Sequence, residues 1–101
     1  MNYTKIRVVF KDWSTLYISE EEVDVFTLSR DYRYIEYLND KGQLHRLDGP
    51  TREFSDGVKS WWVNGQLHRA DGPAIEWASG IKWWFVNGQA YSKEEFEKEF
   101  G

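Results

Sequence analysis

The 101-residue chain has no cysteine. Disulfides, thiolate catalysis and cysteine-held zinc are excluded together, and the composition suits a cytosolic protein. No apolar run is long enough to span a membrane, so no membrane partner is expected. The opening "MNYTKIRVVFKDW" lacks the apolar core of a signal peptide, which sets a cytoplasmic expectation. There is no P-loop, no G-x-S-x-G and no glycine-rich dinucleotide turn, so no cofactor is expected. A basic stripe is also missing, which argues against duplex nucleic acid as a partner. Histidine is limited to His45 and His68. Neither is spaced with the third and fourth ligands that zinc usually takes, so no metal is expected.

Aromatic residues are plentiful: six Trp, six Tyr and six Phe. Each buries a large apolar area, which compensates for a length near the low end of what builds a sizeable core. The net charge of −4 is unevenly placed. Residues 32–91 balance at seven basic and seven acidic groups, and the excess acid lies in residues 1–31 and 92–101. That pattern fits ordinary solubility, with acidic ends available to steer a basic partner. The run Glu20-Glu21-Glu22 with Asp24 fits a helix N-terminus, where the dipole favours carboxylates. Mimicry of nucleic-acid phosphate is its rival reading.

The chain repeats itself. "GQLHRLDGP" (Gly42–Pro50) returns as "GQLHRADGP" (Gly65–Pro73), and Gly42, Gly65 and Gly88 set a period of 23 residues. "TREFSDGVKSWWVNG" aligns without gaps on "AIEWASGIKWWFVNG". Each unit reads as a hairpin. A short strand (Arg52–Phe54 or Ala74–Trp77) turns at Gly57 or Gly80 into a longer one (Val58–Val63 or Ile81–Val86). "NG" then makes a tight turn, "QLHR" returns, and "DGP" bends the chain into the next unit. Pro50 and Pro73 suit an edge or a strand start.

The predicted fold is mainly β: repeated antiparallel hairpins in one twisted sheet, within a single domain of residues 1–101. Residues 1–31 form an N-terminal cap, with a hairpin from "YTKIRVVF" and "STLYIS" and a short helix in "SEEEVDVFTLSR". Residues 32–91 hold the hairpins. Residues 92–101 form a capping helix, with Ser92 and Glu95 as a capping box and Phe96 and Phe100 on one face.

"DGPAIEWASGIKWWFVNG" (Asp71–Gly88), in the register of the "GQLHR" that follows "VN" in the copy before it, resembles a variant of the MORN repeat, over about Tyr32–Tyr91. The resemblance implies stacked hairpins in an elongated sheet and a role in protein interaction, sometimes with membrane association. Small proteins of this kind occur in bacteria and their phages. The likeness is specific for architecture and weak for activity.

Two sets of residues are candidates for function. In the long strands, alternation divides Val58, Ser60, Trp62, Ile81, Trp83 and Phe85 from Lys59, Trp61, Val63, Lys82, Trp84 and Val86. One side should form the core beneath the terminal caps. The other should keep Trp61 and Trp84 one unit apart, with Lys59 and Lys82 at the rim, as a protein-binding patch. The second set is His45-Arg46 and His68-Arg69. These could serve acid–base chemistry or bind an anion. In the structural reading, Asp48-Gly49-Pro50 and Asp71-Gly72-Pro73 are corners where Arg pairs with Asp and His packs on a neighbouring Trp. Catalysis seldom needs two copies of its base, whereas a repeated corner needs the same residues each time.

The leading expectation is a non-enzymatic protein-interaction module, acting as an adaptor or as an inhibitor that blocks a larger protein. With the resemblance, a phage-encoded inhibitor of a bacterial defence system is one concrete form, working in the host cytoplasm. The rival is a small enzyme or ligand-binding protein acting on an anionic, nucleotide-like substrate through His45, Arg46, His68 and Arg69. A homo-oligomer is compatible with both.

Overall fold

A computed structural model describes residues 2–101. Strands β1 (Lys5–Val9) and β2 (Thr15–Ile18) form the expected N-terminal hairpin. A 3-10 turn at Glu20–Glu22 leads into helix α1 (Val23–Ser29), which fulfils the helical reading of this segment. Then follow β3 (Tyr34–Leu38), β4 (Arg52–Phe54), β5 (Lys59–Ser60), β6 (Trp62–Val63) and β7 (Gln66–Leu67). The chain ends with β8 (Ile75–Glu76), β9 (Lys82–Val86), β10 (Gln89–Tyr91) and helix α2 (Lys93–Phe100). All strand pairings are antiparallel.

Eight strands join in the order β10-β9-β8-β5-β4-β3-β1-β2, and β6 and β7 pair apart from them. The expectation of one sheet is therefore corrected to two. Thr51 is the cause. Its buried hydroxyl accepts from the Trp62 amide at 2.8 Å and donates to the Trp62 carbonyl at 3.0 Å. The ladder is interrupted at Trp61, and the predicted strand Val58–Val63 splits into β5 and β6. In the second copy the equivalent residue is Ala74, which has no hydroxyl to offer. There β9 runs unbroken from Lys82 to Val86 and pairs with β10.

Both Asn-Gly pairs turn the chain with positive φ at each residue, 48° and 80° at Asn64-Gly65 and 51° and 79° at Asn87-Gly88. That is the backbone of a type I′ hairpin. Helix α2 starts with the capping box the sequence predicts. The Ser92 hydroxyl accepts from the Glu95 amide at 3.1 Å, and the Glu95 carboxylate accepts from the Ser92 amide at 2.9 Å.

Register sorts the side chains onto two faces, because directly paired residues share a side. On the covered face Ile6 opposes Tyr37, Val8 opposes Ile35, and Ile35 opposes Glu53. From Glu53 the pairing continues through Lys59 and Glu76 to Lys82, an alternating row of charge. The core gathers at the N-terminal end of this face. Ile6, Val8, Ile18, Tyr32, Ile35 and Tyr37 are buried together, and Val23 and Phe26 of α1 pack on them. At the other end α2 lays Phe96 over Trp84, with ring centroids 6.4 Å apart. Both helices thus cover the same side. The thinnest dimension, 21 Å, is about that of one sheet under one layer of helix.

Candidate functional site

The repeated corners are built alike. Arg46 Nε donates to Asp48 at 2.9 Å and Nη1 to the Pro50 carbonyl at 3.1 Å. Arg69 does the same with Asp71 and Pro73, each at 3.1 Å. Each guanidinium then lies over an aromatic ring of the covered face. Arg46 is 4.0 Å from the Tyr37 centroid and Arg69 is 3.9 Å from that of Trp61. Glycine at the corner leaves room for the guanidinium, which a side chain there would push aside. A Cβ at Gly49 would lie 2.8 Å from the Arg46 guanidinium carbon, and one at Gly72 would lie 3.0 Å from that of Arg69. Hydrogen bonds from Asn2 and from Arg46 hold the Asp48 carboxyl below the usual carboxylate range.

The histidines hold the corners to the next turn. His45 Nδ1 accepts from the Asn64 amide and His68 Nδ1 from the Asn87 amide, both at 3.0 Å. Each imidazole presents an acceptor to a backbone N–H, which fixes the neutral Nε2–H tautomer. His45 is buried, and the two rings line different open hollows. His45 sits beside Asn39 and Gln43, and His68 beside Arg46, Trp61 and Arg69. Among the described residues no group of three or more His, Cys, Asp or Glu is placed to hold a metal ion.

The tryptophans correct the expected orientation. Trp61 lies under Arg69 and Trp84 under Phe96, so the face with Lys59 and Lys82 is the covered one. Lys59 and Lys82 themselves are exposed, within the row that includes Glu53 and Glu76. The sequence could not orient the faces because both alternate sets are aromatic. What decides is the helix: Phe96 and Phe100 need an apolar floor, and Trp84 with Tyr91 supplies it.

The opposite face carries no helix. The row Arg52, Ser60, Ile75 and Trp83 crosses it in direct register. Trp77 meets Trp83 edge-on at 4.8 Å, and the Trp62 indole donates to the Ser60 hydroxyl at 3.0 Å, so both rings lie on this side. Trp83 is 53% exposed and Ile81 57%. Further along the same face, four strands from Trp83, Glu36 is fully buried between two arginines. Arg7 grips one of its oxygens through Nε and Nη2, and Arg52 Nε donates to the other at 2.9 Å. The sequence reading missed Arg7, Glu36 and Arg52. The available signal was faint: Glu36 is the lone charge of the otherwise apolar strand "YIEYL", whereas "KIRVV" and "REF" each carry two charges.

A scan against protein-family models, a search of curated proteins and a search of solved structures each return no match to this chain.

Proposed function

We propose that the chain is a non-enzymatic protein-interaction module of the MORN-variant type, acting as an adaptor or as an inhibitor that blocks a larger protein. One observation carries the reading: the helix-free sheet face bears the edge-on pair Trp77 and Trp83, with Trp83 and Ile81 more than half exposed and the Trp62 ring on the same side at Ser60. Large aromatic groups with a charged rim are the usual make-up of a binding hot spot. The binding residues are therefore moved from Trp61, Trp84, Lys59 and Lys82 to this face.

The histidine chemistry supports the same choice. A general base needs a free lone pair toward its substrate, and Nδ1 of both rings already serves a backbone amide. Arg46 and Arg69 are likewise engaged with aspartate, carbonyl and ring. The test is affinity capture from cell lysate with three proteins: wild type, Trp83→Ala and His68→Asn. The reading expects one partner retained by wild type and by His68→Asn, and lost with Trp83→Ala. Equal retention by Trp83→Ala would overturn it.

A further inference from the structure

We propose that the open face takes an extended, acidic segment of its protein partner, with a carboxylate seated on the Arg7–Arg52 pair and an apolar side chain on Trp83. This inference rests on the interaction reading above and names the chemistry of the partner.

Charge placement carries it. Lys5 lies over the Tyr17 ring, and Tyr17 pairs with Arg7, so Lys5, Arg7 and Arg52 share the open face. Glu36 is the one carboxylate on that face's strands, and it is buried between the two arginines. Its single charge leaves the triad cationic. The arginine side chains remain 31% and 29% exposed while Glu36 shows none of its surface. Both Nη groups of Arg52 have no protein acceptor among the described residues. The excess acid of the chain lies elsewhere: Glu20, Glu21, Glu22 and Asp24 around α1, and Glu94, Glu95, Glu97 and Glu99 in α2. A chain of net charge −4 thus presents a cationic, aromatic island on one face. An acidic partner is repelled by the helices and drawn to the island, which fixes its orientation. Guanidinium also suits this task, because its planar fork matches a carboxylate with two parallel hydrogen bonds.

Geometry sets the spacing. Arg52 and Trp83 stand in one cross-strand row, separated by Ser60 and Ile75. Three strand spacings are about 14 Å, and an extended chain covers that in roughly four residues. The segment therefore carries Asp or Glu about four positions from a Trp, Phe or Leu.

Panning a displayed random-peptide library on the wild-type chain tests this. Enriched peptides should show that acidic-to-apolar spacing. Their affinity should fall about tenfold or more with Arg52→Gln and with Trp83→Ala. It should weaken with added salt and stay unchanged with Lys82→Gln on the covered face. Arg52→Lys keeps a charge beside Glu36 and separates loss of the fork from loss of folding, with thermal melting monitored for each variant. Peptides without acidic residues that still depend on Trp83 would sink the acidic segment and leave the interaction reading standing. Peptides indifferent to both Arg52 and Trp83 would sink both. Failure to enrich any peptide overturns the inference. So does sedimentation showing that a second copy of the chain occupies the face.

Discussion

His45 is a buried ring that accepts a hydrogen bond from the Asn64 amide. His45→Leu leaves the Asn64 amide without its acceptor and should cost about 1–3 kcal/mol in chemical denaturation. His45→Asn places an oxygen near the position of Nδ1 and should recover part of that loss. Equal losses would mean the imidazole acts through packing alone. Glu36 is a sharper case, because removing a carboxylate strands two guanidiniums against each other. Glu36→Ala should lose on the order of 3 kcal/mol. Tyr3 gives a pH signature. Burial, then its hydrogen bond to Glu20, pushes its phenol up to about 12. Because the folded value is raised, this contribution is fully present below the unfolded value of about 10. It is lost as pH rises from there toward about 12. The phenolate absorbance difference between wild type and Tyr3→Phe should titrate in that window. Asp48 has the opposite sign: its depressed carboxyl stabilises above the unfolded value of about 4 and ceases to do so as acid is added.

Among the elements, α2 decides which face of the sheet is covered, and it does so with one ring. Phe96 is buried against Trp84, while the rest of the helix is polar or exposed. Phe96→Ala should cost about 3–5 kcal/mol and shift Trp emission to the red as Trp84 meets water. Ser92→Ala removes the cap and should cost about 1 kcal/mol without a spectral change. Much of this level was legible in the sequence. The turns carried Asn-Gly, the helix carried its capping box, and the strands alternated. Two features were not legible, for physical reasons. The split of β5 from β6 falls where the Thr51 hydroxyl reaches eleven residues along the chain to Trp62, a contact no local pattern encodes. The choice of face depends on a helix whose docking side is a tertiary matter, since Trp61/Trp84 and Trp62/Trp83 are equally apolar in alternation. The Arg–Asp pair of each corner was readable because its two members lie two residues apart.

At the scale of the molecule, the apolar core cluster and the proposed binding residues sit on opposite sides of the eight-stranded sheet. The covered face holds the core, the two helices and the stacked corners. The open face holds Trp83, Ile81 and the arginine pair. Substitutions should separate accordingly. Trp83→Ala changes a half-exposed ring and should leave the melting temperature within a few degrees of wild type. The equivalent change at Trp84 should unfold the C-terminal cap. A differential-scanning comparison of the two variants checks this, and matching losses would show that the open face is part of the core.

The C-terminal ring also has a bearing on length. Tyr37 and Trp61 are roofed by the arginines of their own corners, and Trp84 is roofed by Phe96 instead. The helix is therefore a stopper that any preceding hairpin could accept. Splicing a second copy of residues 51–73 in after Pro73 should yield a soluble, folded chain, longer by two strands or about 10 Å in small-angle scattering. The molecule would behave as a ruler whose graduations can be added one at a time.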